Sequence, residues 1–147
     1  MDKVKIYFIK EDGVRVPKYE THGSSGLDIR AFMREERKIF AHESELIPTG
    51  IKLEIPIGYE AQIRPRSGLA SKFGIGIINS PATIDSDYRG QLFIPVFNFS
   101  SRTFIVKPEM RVAQIVFAPV ARAKMIEAVN LSMTDRNAGG FGSTGEM

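Results

Sequence analysis

Apolar and polar residues alternate with a period of two along most of this chain, and the alternating runs end in Gly, Pro, Asn or Ser. Val4–Ile9 predicts a first strand and Gly26–Ala31 a second, followed by two short ones at Ile39–Ala41 and Leu46–Pro48. Lys52–Ile55 runs into the turn Pro56-Ile57-Gly58. Beyond it Tyr59, Ala61 and Ile63 alternate with Glu60, Gln62 and Arg64, as a half-buried strand requires. Gln91–Phe97, Arg102–Val106 and Val112–Val120 complete the set. The best helical signal is Ser67–Phe73, with Ser67 placed to cap it and Gly74 to end it. Pro95 has no N–H to give a ladder, which predicts an edge position or a bulge there.

Many short strands with regular turn punctuation predict an all-β fold, a jelly-roll-like antiparallel β-barrel with one short helix. No repeat and no linker divides the chain. Residues 1–133 read as one barrel core. The Gly-rich, weakly apolar stretch Thr134–Met147 reads as a flexible C-terminal arm.

Composition narrows the classes. A chain of 147 residues, 43% hydrophobic, buries the core of one domain. No apolar run is long enough for a membrane-spanning helix, and Met1–Gly13 mixes charges with apolar residues, unlike a secretory signal. The absence of cysteine excludes disulfides and thiolate metal sites and fits a cytoplasmic location. With only His22 and His42, a His-rich zinc site is excluded too. A net charge of +3, dispersed and without a basic block, suits a nucleoside triphosphate or a nucleic acid, but taken alone it reads as no more than solubility. A nucleic-acid surface would need exposed aromatics on a basic face, and no such stripe stands out.

Five segments could carry chemistry. Gly140-Phe141-Gly142-Ser143-Thr144-Gly145 matches a dinucleotide fingerprint by letter only, since no strand precedes it and no helix can follow. With Arg136 it still offers backbone N–H groups and hydroxyls for phosphates and an aromatic ring for a base. Arg66, Ser67 and Gly68 at a helix start make an anion site or, more blandly, a surface Arg beside a cap. Asp85 and Asp87 could supply a general base or a metal contact, or only turn hydrogen bonds. Asp28 and Gln114 interrupt apolar strands, which a half-buried strand permits without any function.

Taken in order, these segments resemble the five motifs of the trimeric dUTPase family. They are Ser25–Ala31, Pro65–Ala70, Asn79–Gly90, Arg111–Gln114 and Arg136–Gly145. The resemblance implies a dUTPase-like β-clip and a homotrimer whose three sites lie between subunits, each closed by an arm. It implies hydrolysis of dUTP to dUMP and pyrophosphate with Mg²⁺, and no nucleic-acid or membrane partner. By the same resemblance Asp85 activates the attacking water, and Tyr88 packs on the deoxyribose. Asn79 and the hairpin to Ile84 read uracil, and Arg66, Ser67, Gly68 and Gln114 hold phosphates. Asp28 contacts Mg²⁺ through water. Phe141 stacks on uracil, while Arg136, Ser143 and Thr144, with the Gly142 backbone, wrap the γ-phosphate.

The chain departs from the family pattern at Glu109-Met110, where Gly and an acidic residue are common, and at Asn137-Ala138, where Gly usually follows the arginine. Asn accepts left-handed backbone geometry, so the second turn is expected to form. The alternatives are a dCTP deaminase, which needs an additional Glu at the base, and a non-catalytic nucleotide-binding barrel. Asp85, Tyr88 and the arm have no use in the latter.

Overall fold

The structure, a computed structural model, describes residues 3–146; Met1, Asp2 and Met147, at the ends of the expected core and arm, lie outside them. Ten strands and one helix are present among the described residues. They are β1 (Tyr7–Lys10), β2 (Leu27–Arg30), β3 (Arg37–Ile39), β4 (Ser44–Glu54), β5 (Tyr59–Arg64), α1 (Ser67–Phe73), β6 (Ile75–Ile77), β7 (Ala82–Ile84), β8 (Gln91–Asn98), β9 (Phe104–Val106) and β10 (Arg111–Pro119). Two antiparallel four-stranded sheets, ordered β1-β4-β8-β6 and β2-β10-β5-β7, are joined by a small β3-β9 pair. This is the jelly-roll-like, strand-dominated fold that the alternation predicts.

The core lies between the two large sheets. Ile47, Ile51, Leu92, Ile94 and Val96 from the first meet Ile29, Ala61, Ile63 and Ile115 from the second, all 3% exposed or less. β5 shows the expected period: Ala61 and Ile63 are buried while Glu60, Gln62 and Arg64 face outward.

Strand limits differ from the pattern where a strand lacks a partner. β1 begins at Tyr7 because its ladder ends at Glu54, after which the neighbouring chain turns at Pro56–Tyr59. β3 ends at Ile39 because the chain turns at once, with Glu43 N–H donating to the Phe40 carbonyl and His42 at φ 62°. The two short strands expected at 46–48 and 52–55 are one bent strand, β4. Its bend between Pro48 and Lys52 is held by side chains. Thr49 Oγ1 donates to the Leu92 carbonyl (2.8 Å), and Gln91 Oε1 accepts from Gly50 N–H (2.9 Å). Gly50, at φ 68°, has no room for a Cβ against Phe32 and Val14.

Pro95 lies neither on an edge strand nor in a bulge: β8 is paired on both sides. The Pro95 carbonyl accepts from Ile78 N–H, so the missing donor faces β6 at the point where that three-residue strand ends. No ladder bond toward β4 is lost. β8 is apolar on both faces. Leu92, Ile94 and Val96 point inward, while Phe93, Pro95 and Phe97 point outward beside Leu46, Pro48 and Ile78.

The departure at Glu109 keeps its turn. Met110 N–H donates to the Lys107 carbonyl, Glu109 takes the left-handed conformation (φ 63°), and its carboxylate pairs with Arg15 at 3.1 Å. Asn137 likewise adopts φ 43°. Beyond Pro119 the chain forms no helix or strand among the described residues, and positions 121–138 are exposed. Met125, Val129, Leu131 and Met133 there are each at least 86% exposed. Among the described residues no hydrogen bond or ion pair joins 121–146 to the body; the arm's own bonds are internal.

Candidate active site

Asp28 occupies the outward side of β2, opposite the buried Ile29, and stands beside Gln114 in the β2–β10 register. Its side chain is only 16% exposed and carries two guanidiniums: Arg66 Nε on Oδ1 (3.0 Å) and Arg111 Nη1 on Oδ2 (3.1 Å). A half-buried carboxylate is tolerable because two charge-assisted bonds replace its water. Arg66 reaches Asp28 because β5 ends two residues earlier and the chain then turns into α1. Gln114 Nε2 donates to the Pro65 carbonyl (2.9 Å), tying β10 to the same corner. Gly26 leaves the space into which Gln114 packs; a Cβ there would meet the amide end of Gln114 at 2.5 Å.

α1 does not start as its sequence suggests. Arg66, with extended backbone (φ −91°, ψ 130°), holds the cap position and makes no side-chain cap bond; Ser67 is the first helical residue. The hydroxyl of Ser67 and the first N–H groups of the helix therefore face outward at an exposed corner, next to Arg66. Gly74 closes the other end as expected, at φ 65° with N–H bonds to Ala70 and Leu69 carbonyls.

A second group of residues sits on the loops around β7. Asn79 is exposed in the turn between β6 and β7, and Ile84 is the last residue of β7. Asp85 follows it, exposed, and Tyr88 N–H donates to the Asp85 carbonyl (3.2 Å). Arg89 Nη1 braces this loop through the carbonyls of Ser86 (2.7 Å) and Tyr88 (3.1 Å). The Tyr88 hydroxyl donates to the Gln91 carbonyl (2.9 Å).

The third group, Arg136 with Phe141, Gly142, Ser143 and Thr144, lies on the arm. Arg136 Nε donates to the Gly139 carbonyl (2.7 Å), and Phe141 is fully exposed at φ 49°. The predicted residues are thus gathered into three groups rather than one. The first two are far apart within a chain. β5 pairs with β7 so that Ala61 faces Ile84, which sets Asp85 beside Glu60. Arg66 lies two residues past the opposite end of β5, beyond the roughly 13 Å of strand from Glu60 to Arg64. Arg111 belongs with the first group although it stood out in the sequence only as the opening residue of its segment.

The dUTPase family profile matches residues 12–145. The chain belongs to the dUTPase family. A deoxyuridine 5'-triphosphate nucleotidohydrolase of Chlamydia felis is 52% identical over 144 residues, covering 96% of this chain and 98% of its own. Among solved structures, a variant of the Staphylococcus bacteriophage 80alpha dUTPase with dUpNHpp superposes with a TM-score of 0.86 at 22% identity, over 96% of this chain and 98% of that one. A variant dUTPase from phage phi11 of S. aureus, with a structural Mg(II) ion, does so at 0.76 and 20% identity, over 86% and 97%. This dUTPase is accordingly a dUTP diphosphatase, an enzyme of nucleotide metabolism that hydrolyses dUTP. Neither a deaminase nor a non-catalytic barrel is needed to account for it.

Proposed function

We propose that this dUTPase works as a homotrimer in which each active site takes the Asp28–Arg66–Gln114 corner from one chain, the Asn79–Tyr88 loops from a second and an arm closing over them. The observation that carries this reading is that Asp85 and Arg66 lie at opposite ends of β5, separated by the roughly 13 Å of strand from Glu60 to Arg64. A nucleotide held by both through its α-phosphate region cannot span that distance within one chain. Two further features support assembly. The outward face of the β4–β8 pair is apolar, with Phe93 of β8 44% and Leu46 of β4 60% exposed. Val129, Leu131 and Met133 alternate with polar residues and have no cover in a lone chain.

At such a site Asp85 orients a water and takes its proton as the oxygen attacks the α-phosphorus. The bond from that phosphorus to the bridging oxygen breaks, and pyrophosphate leaves with dUMP remaining. Positioning and charge neutralisation dominate a reaction of this kind. Arg66, Ser67, Gly68 and Gln114 hold the phosphates. Asn79 and the hairpin backbone up to Ile84 bind uracil, and Tyr88 lies under the deoxyribose. Residues 134–147 form the closing arm: Phe141 covers the base, and Arg136, Gly142, Ser143 and Thr144 enclose the γ-phosphate.

Asp28 fits a Mg²⁺-bearing triphosphate: two guanidiniums occupy two of its acceptor directions and leave others for metal-bound waters. When bound, Mg²⁺ neutralises phosphate charge. Absence of cysteine agrees with function in the cytoplasm.

The test is subunit complementation. Asp85→Asn and Arg66→Gln are each expected to retain the fold and lose turnover, Asp85→Asn still binding nucleotide. Unfolded together and refolded one to one, they should recover about a quarter of wild-type pyrophosphate release from dUTP with Mg²⁺. No recovery in demonstrably mixed trimers would place both residues in sites of single chains and defeat the shared-site reading.

A further inference from the structure

We propose that Gly90 is a specificity-determining position of this enzyme: it leaves the space that fixes the Tyr88 ring, and through that ring it sets the preference for deoxyribose over ribose. The inference rests on the reading of Tyr88 as the sugar contact and names what imposes its orientation. A Cβ built on Gly90 would collide with the Tyr88 hydroxyl and lie 2.6 Å from its Cζ and 3.0 Å from Cε2. The phenol therefore lies directly across the Gly90 backbone. Its hydroxyl is tied to the Gln91 carbonyl, and Gln91 is itself anchored to the bend of β4 through Gly50 N–H. Tyr88 is 44% exposed, so little besides this shelf and this anchor limits its outward swing.

Gly90 is not among the positions with a left-handed backbone. Glycine is required there for space, and alanine is compatible with the local chain path. The conflict that alanine creates is with the tip of a flexible, exposed side chain, which moves more cheaply than backbone. Gly90→Ala thus displaces the Tyr88 ring and breaks its bond to Gln91 while the β7–β8 loop, braced by Arg89, keeps its shape. With the ring lifted, the volume denied to a 2′-hydroxyl opens. Gly90 touches no substrate in this account; it is a positioning residue.

The experiment measures kcat/KM for dUTP and UTP in wild type, Gly90→Ala, Tyr88→Ala and the double variant of the full-length chain. Gly90→Ala is expected to lower the dUTP-to-UTP ratio about tenfold, with its thermal midpoint within a few degrees of wild type. In the Tyr88→Ala background, Gly90→Ala should leave the ratio where it is, because the two act through one ring. A wild-type ratio in Gly90→Ala, alongside a lowered one in Tyr88→Ala, overturns the proposal and spares the sugar-contact reading. An unchanged ratio in Tyr88→Ala refutes that reading and the proposal with it. If Gly90→Ala does not fold, Tyr88→Phe keeps the ring and removes its anchor. A reduced ratio there supports the proposal, and a wild-type ratio overturns it.

Discussion

Asn98 is fully buried and uses its whole amide. Nδ2 donates to the carbonyls of Ile39 (3.0 Å) and Arg102 (2.6 Å), while Oδ1 accepts from Ser100 N–H (3.0 Å) and Ser100 Oγ (2.7 Å). One side chain thereby closes the turn after β8 and joins it to β3. Removing it leaves the buried Ile39 carbonyl without this donor and empties the space that the amide fills. Asn98→Ala is expected to cost about 3 kcal/mol, read as a lowered urea midpoint at fixed protein concentration. Asp28, by contrast, is half-covered by charge: its two guanidiniums make it a hub that no single-position reading of the sequence could identify. Asp28, Arg66 and Arg111 are separated by 38 and 45 residues, and only the pairing of β10 with both β2 and β5 makes them neighbours. Their membership in ordered motifs was legible, but their contact was not.

The elements divide by how their information is stored. β5 alternates cleanly and is readable because one face lies in the core, while β8 is readable as a continuous apolar run, Leu92–Phe97, bounded by Gly90 and Asn98. β6 has no alternation to read: Ile75, Gly76 and Ile77 are all buried, so a three-residue apolar run gave no period. The sequence pattern splits β4 in two because its bend is held by Thr49 and Gln91, a bond pattern with no local signature. Ser67 has the right chemistry for a cap, but Arg66 has the backbone for it, and a residue so close to Asp28 gains more from a guanidinium there. The arm is the element whose role is most exposed to test. Truncation after Met133 is expected to leave the assembly intact by light scattering and to lower dUTP turnover about a hundredfold. A truncated enzyme of normal activity would remove the arm from the site.

At the scale of the molecule, β8 is the decisive strand. A strand with Leu92, Ile94 and Val96 on one side and Phe93, Pro95 and Phe97 on the other belongs to a core on one side and needs cover on the other. Pro95 fits this position because its missing donor points at the end of β6 and not into the outward face. Phe93→Lys is expected to dissociate the assembly, measured as protomer mass by light scattering, and to abolish turnover while far-ultraviolet circular dichroism stays β-rich. Retention of the wild-type mass in that variant would put the proposed subunit contact elsewhere.

The placing of Asp85 and Arg66 at opposite ends of β5 also bears on inheritance. If a site needs Asp85 from one copy and Arg66 from another, a defective copy spoils sites whose other residues are sound. In a cell making two alleles in equal amounts, an Asp85 lesion in one and an Arg66 lesion in the other would rescue each other in part. Either lesion paired with a normal allele would lose about half of the sites. Dosage at this locus is thus set by the mixing of chains as well as by their number.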